Sequence, residues 1–121
     1  MSRSIVHVEF AGEDRRELAE FYSGIFGWEL QEFPDMNYTT FSSGQGGLGG
    51  GFAPVGDINP RGAVVVYIDV DDVEATLDAI EARGGERLHP PLDIPGVGTI
   101  AHFTDPGGNR VAVIKGAEGA M

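Results

Sequence analysis

Between Ile5 and Phe10 the apolar residues Ile5, Val6, Val8 and Phe10 enclose the polar pair His7 and Glu9. Alternation of this kind predicts a strand with two unlike faces. Leu18, Phe21, Tyr22, Ile25 and Phe26 follow at i, i+3, i+4, i+7 and i+8, the spacing of one helical face. Asp14 and Glu17 stand at capping-box spacing before that face, and Gly27 is placed to stop the helix. Residues 28–33 and 38–42 read as short strands around the turn-like Pro34-Asp35-Met36-Asn37. Residues 44–52 carry six glycines in their first eight positions, yet Leu48 and Phe52 predict a strand that returns to the core.

After Pro54–Gly62, rich in Pro, Gly and Asn, the scheme begins again. Residues 63–70 form a β-branched run. Asp71 and Glu74 repeat the capping-box spacing, Val73, Leu77 and Ile80 share a helical face, and Gly84-Gly85 ends it. Residues 86–88, 98–103 and 110–114 are the remaining strands, and the small, polar tail after Lys115 is expected to fray. A shift of 58 residues places Gly27 on Gly85, Asp14 on Asp72 and His7 on Val65. A shift of 62 places Thr40 on His102, Phe41 on Phe103 and Gly46 on Gly108. The chain is therefore an internal repeat of strand–helix–three strands. Its expected organisation is one α+β domain, with module one at 4–53, a linker at 54–62 and module two at 63–115. Half a chain of this length buries little core by itself, so the two curved sheets are expected to share a cavity.

Composition narrows the function. Nineteen acidic against eight basic residues give a formal charge of -11, divided almost evenly between the halves. One lysine and seven arginines do not make a surface that neutralises phosphates, so neither nucleic acid nor an anionic membrane is an expected partner. No apolar run reaches the length of a membrane span, and no apolar signal core precedes the first strand, so the expected location is the cytoplasm. Without cysteine there is no disulfide, thiol nucleophile or thiolate metal site. The glycine run lacks the lysine and the strand-to-helix context of a phosphate loop. Its glycines suit a mobile flap or a close approach by neighbouring backbone.

Four segments carry a family resemblance: His7-Val8-Glu9-Phe10, Phe21 to Trp28, Ile68 to Val73, and Phe103 to Arg110 with its Asp-Pro-Gly-Gly-Asn turn. In this order, inside a βαβββ repeat, the chain resembles the glyoxalase/bleomycin-resistance/extradiol-dioxygenase superfamily, the vicinal oxygen chelate fold. The resemblance implies two βαβββ modules forming an eight-stranded, cup-shaped sheet around a cavity, with helices outside. It also implies a homodimer. Metal-using members hold one divalent ion at four inward strand positions. Carried over one by one, these fall on His7, Val65, about Gly50, and Ala112. Only His7 has a donor side chain, so the expectation is no metal and no cofactor. A non-standard set of His7, Glu9 and His102 stays open.

Strand parity from His7 and Val65 turns a set of side chains inward. Of these His7, Glu9, Tyr38, Phe52, Tyr67, His102 and Arg110 are the expected ligand contacts. Apolar walls with a few convergent polar groups suit a small-molecule pocket. His89, beside Pro90-Pro91, reads as a loop residue, and Trp28 as packing. Two functions follow. One is binding of a small molecule without the family's metal, as relatives that sequester bleomycin-type antibiotics do. The other is a lyase or isomerase on a small carbonyl compound, with Glu9 or His7 as general base.

Overall fold

The computed structural model of the chain describes residues 3–116; of the tail expected to fray, Gly116 belongs to the last strand and residues 117–121 lie outside the described range. The described residues fall into two compact units, 6–66 and 3–5 with 67–116, divided between Ile5 and Val6 and between Val66 and Tyr67. Each is α+β.

In the first unit β1 (Ile5–Gly12) leads to α1 (Arg15–Phe26), β2 (Glu29–Phe33), β3 (Tyr38–Ser42) and β4 (Gly49–Pro54). The order is β2-β3-β4-β1, with β1 and β4 parallel and the other pairs antiparallel. Asp14 caps α1 as its position implies: its side chain accepts from the amides of Arg16 and Glu17. Gly27, at φ 73°, ends the helix in the left-handed region that glycine enters without strain. The core beneath α1 is aromatic. Phe41 and Phe52 are buried with Ala19, and Phe10, Leu18, Tyr22 and Trp28 pack against them. Trp28 lies on Phe41 with ring centroids 4.4 Å apart and on Tyr22 at 5.4 Å, so its packing role holds. The helix is turned from the simplest reading of its pattern: Arg15 and Ala19 are its buried residues, while Phe21, Ile25 and Phe26 are exposed.

The second unit contains β5 (Val64–Asp69), whose first three residues fall in the preceding unit. It continues with α2 (Val73–Ala82), β6 (Glu86–Arg87), β7 (Leu92–Ile94), β8 (Gly98–Thr104) and β9 (Arg110–Gly116). β9 is parallel to β5 and antiparallel to β8, and β6 and β7 both pair with β8. The cap of α2 is Asp72, which accepts from the Ala75 amide; Asp71, at the expected spacing, pairs with Arg3 instead. The core here is aliphatic apart from Phe103, with Val70, Val73, Leu77, Ala101 and Val113 around it. Burying one such side chain contributes about 1.5–3 kcal/mol. Arg87 on β6 reaches Glu74, Asp78 and Glu81 of α2 at 2.9, 3.0 and 3.2 Å, so a two-residue strand is tied to the helix above it. β7 is absent from the sequence pattern. It is three residues long and folds back on β8 through a turn with Gly96 at φ 77°.

Between β8 and β9, Asp105 Oδ1 accepts from the amides of Gly107 and Asn109, both at 2.9 Å, and Gly108 adopts φ 86°. Hydrogen bonds from the Asn109 side chain, ahead of the backbone ones, hold the Asp105 carboxyl below its ordinary range. The Asp-Pro-Gly-Gly-Asn segment is thus a self-contained turn.

Candidate functional site

Because strand side chains alternate, the face of each sheet away from its helix is fixed by the aromatic or aliphatic core on the other side. In the first unit that face carries His7, Glu9, Tyr38, Thr40 and Gly51. Gly51 is the partner of both Glu9 on β1 and Thr40 on β3. In the second unit Tyr67, His102 and Ala112 hold the equivalent register, with Ala112 partnering Tyr67 on β5 and His102 on β8. The duplication is therefore visible in the hydrogen-bond ladder. It also corrects the expected position near Gly50 by one residue: the counterpart of Ala112 is Gly51.

Three of the expected residues meet in the first unit. Tyr38 donates its hydroxyl hydrogen to Glu9 Oε2 at 2.5 Å and lies 2.7 Å from His7 Nε2. One hydroxyl has one hydrogen, so toward His7 the oxygen accepts and Nε2 is the donor. His7 Nε2 and Glu9 Oε2 are 3.7 Å apart, with the hydroxyl joining them. Glu9 is 6% exposed, and burial of a carboxylate is tolerable because a charge-assisted hydrogen bond reaches it.

Tyr38 is held from both sides along the chain. Arg15 of α1 donates to Asn37 Oδ1 and Thr39 Oγ1, each at 2.8 Å, and pairs with Glu32 on β2. Thr39 donates to Glu32 Oε2 at 2.7 Å. The Thr39 hydroxyl first, with Arg15 and Arg16 adding to it, holds the Glu32 carboxyl below its ordinary range. A buried arginine on the helix thus fixes the two neighbours of Tyr38.

In the second unit Tyr67 Oη lies 3.3 Å from Nε2 of His102, which is fully buried. His102 Nδ1 is 2.9 Å from Nε2 of His89. His89 does sit in a loop as expected, but its imidazole turns back onto β8, a role the sequence reading missed. The available signal was Pro90-Pro91, which fixes the backbone just after it. Arg110 lies on the Ala112 face of β9, opposite Thr104.

Phe52 requires a correction. It was expected as a ligand contact, but β4 pairs it with Phe10 and Thr39, and its ring lies 5.1 Å from Phe41 and 5.6 Å from Tyr22. It is a fully buried member of the aromatic core under α1. Since Gly51 occupies the Glu9 face, its neighbour must take the other.

The residues present do not fit the ion of metal-using members. Val65 and Ala112 offer no donor atom, and a Cβ added at Gly51 would overlap the Tyr38 hydroxyl. The tyrosine ring fills the place from which a carboxylate at that position would extend. Among the described residues no three His, Asp or Glu side chains are grouped as a metal site.

Residues 4–113 match the model of the Glyoxalase/Bleomycin resistance protein/Dioxygenase superfamily. An anthracycline biosynthesis protein of Streptomyces peucetius, DnrV, is 35% identical over 83% of this chain and 44% of its own length. This chain therefore spans less than half of that relative. A glyoxylase-like domain-containing protein of Didymella fabae is 30% identical over 88% of each. Among solved structures, a superfamily member from Vibrio splendidus matches with TM-score 0.64 and 17% identity over 94% of this chain and 99% of its own. Methylmalonyl-CoA epimerase from Mycobacterium tuberculosis matches with TM-score 0.67 and 16% identity over 93% and 87%. On this match along nearly its whole length, the chain belongs to the glyoxalase/bleomycin resistance protein/dioxygenase superfamily.

Proposed function

We propose that this protein binds a small organic molecule on the sheet face that carries His7, Glu9 and Tyr38, without the divalent ion of metal-using members. The observation that supports it is the Tyr38 hydroxyl, which joins His7 to Glu9 above Gly51. The hydroxyl occupies the place from which a metal-holding carboxylate at position 51 would extend. The trio presents polar atoms at fixed positions, as a recognition site requires. Similarity to the anthracycline biosynthesis proteins makes an anthracycline the first probe, and the charge of -11 favours a cationic ligand.

The test is a thermal-shift and calorimetric titration with an anthracycline, then with zinc, nickel and manganese salts. The expected result is saturable stabilisation by the anthracycline, unchanged by EDTA. Stoichiometric, stabilising uptake of one metal ion would overturn the reading. The same family resemblance supports a homodimer, which sedimentation of the purified chain tests.

The placing of the Glu9 carboxyl, the His7 imidazole and the Tyr38 hydroxyl side by side favours one second reading, a lyase or isomerase on a small carbonyl compound. Glu9 or His7 would take the substrate proton, with Tyr38 able to return one. Replacing Glu9 and His7 together by Gln would then abolish turnover while leaving ligand affinity within a few fold.

A further inference from the structure

On the face of the first sheet away from α1, β2 and β3 present three cross-strand pairs in a row. They are Phe33 with Tyr38, Gln31 with Thr40, and Glu29 with Ser42. Between the last two lies the pair Leu30 and Phe41, whose side chains turn to the opposite face, Phe41 into the aromatic core. A groove of about 470 Å³ opens at this place, lined by residues 29–31 and 40–42. Its floor is the backbone of Leu30 and Phe41, and Gly49, opposite Ser42 on β4, continues that floor without a side chain. Its four corners are a carboxylate, a carboxamide and two hydroxyls. They stand about 5 Å apart across the strands and about 7 Å apart along them. Glu29, Gln31 and Ser42 are exposed. The three arginines of this unit pair elsewhere, Arg15 and Arg16 with Glu32 and Arg61 with Glu13, so Glu29 keeps an unneutralised charge.

We propose that this groove holds a protonated amino sugar that forms one end of the ligand, an inference that rests for the ligand's other end on the binding role given to His7, Glu9 and Tyr38. The ammonium group faces the Glu29 carboxylate. Gln31, Thr40 and Ser42 each donate and accept, as ring hydroxyls do, so they match a hydroxylated ring whichever way its hydrogens turn. The ring lies flat on the backbone, because the middle pair sends its side chains away, and the four corners enclose the footprint of one such ring. An anionic ligand would meet Glu29 with no cation in the groove to offset it. An apolar one would cover four polar side chains and leave them without partners. The next pair on the same face is Phe33 with Tyr38, so the groove opens along the sheet toward the Tyr38 ring.

Amide spectra of the isotopically labelled full chain, titrated with D-glucosamine hydrochloride at matched ionic strength, test the groove. Saturable shifts centred on residues 29–31 and 40–42, and on the Gln31 side-chain amide, are expected. The affinity should be millimolar, the scale for a ligand of so few atoms. N-acetylglucosamine keeps the ring and loses the charge; it should bind about fivefold more weakly, and Glu29→Gln should remove that difference. The absence of saturable shifts there, or equal affinity for the amine and its acetyl form in the parent protein, overturns the proposal. The two sites fail separately. Anthracycline binding without glucosamine shifts overturns the groove alone. Glucosamine shifts without anthracycline binding support the groove and overturn the role of His7, Glu9 and Tyr38.

Discussion

The ring of Tyr38 lies over the backbone of Gly51, so that a methyl group on that glycine would coincide with the tyrosine hydroxyl. The two positions are therefore coupled: any side chain at 51 expels the hydroxyl from between His7 and Glu9. Gly51→Ala should destabilise the protein by about 2 kcal/mol, the scale of overpacking a filled site. Urea denaturation measures it. An alanine variant as stable as the parent, with the Tyr38 hydrogen bonds retained, would contradict the geometry.

Removing the hydroxyl alone separates bonding from bulk. Tyr38→Phe keeps the ring over Gly51 but deletes the donor to Glu9 and the acceptor for His7. A loss of about 1–3 kcal/mol is expected, since the buried Glu9 carboxylate gives up a charge-assisted bond. Anthracycline affinity should fall in the same variant, and calorimetry reads both.

The Glu32 carboxyl gives the first unit an acid-sensitive contact. Its folded-state value lies below the ordinary 4.5, so the folded protein binds that proton less readily than the unfolded chain. Its stabilising contribution is complete above the unfolded value and is lost as pH falls through the lower folded one. Glu32→Gln should accordingly flatten the acid limb of stability, compared by urea midpoints from pH 6 down to pH 3. Thr39→Val, which deletes the leading cause of the shift, should move the Glu32 titration upward, as carboxyl carbon resonances would show.

Leu77 is fully buried among Val73, Ala101, Phe103 and Val113 beneath α2. Leu77→Ala should cost about 2–5 kcal/mol, the range for opening a cavity in a close-packed core. A cost below about 1 kcal/mol, measured by urea denaturation, would mean that the surrounding side chains collapse into the space.

What could be read from the sequence was what local chemistry decides. Asp14 and Gly27 delimit α1 through their own hydrogen bonds and backbone angles, and residues 105–109 form a turn with themselves. The repeat was legible because alternation and helical spacing recur at a fixed offset. Facing and register were less so. Phe52 went to the wrong face because a run of glycines carries no alternation from which to count. Nothing in the local pattern marks Arg15 as buried; its partners Glu32, Asn37 and Thr39 come from β2, β3 and the turn between them. β7 is too short to show a pattern, and His89 meets His102 only because the loop after β6 folds back toward β8.

The unlike cores of the two units have a practical consequence. The molecule's one tryptophan is stacked within the aromatic cluster of residues 6–66, whereas the neighbouring unit is built around aliphatic side chains and contains no indole. Intrinsic fluorescence thus reports the melting of one half, while circular dichroism of the peptide bonds reports both. If the two optical signals coincide through a denaturant titration, the halves unfold together; if they separate, the ancestral modules still melt as independent bodies. The duplication has in this way left each half with its own optical signature, and no dye or engineered residue is needed to follow them.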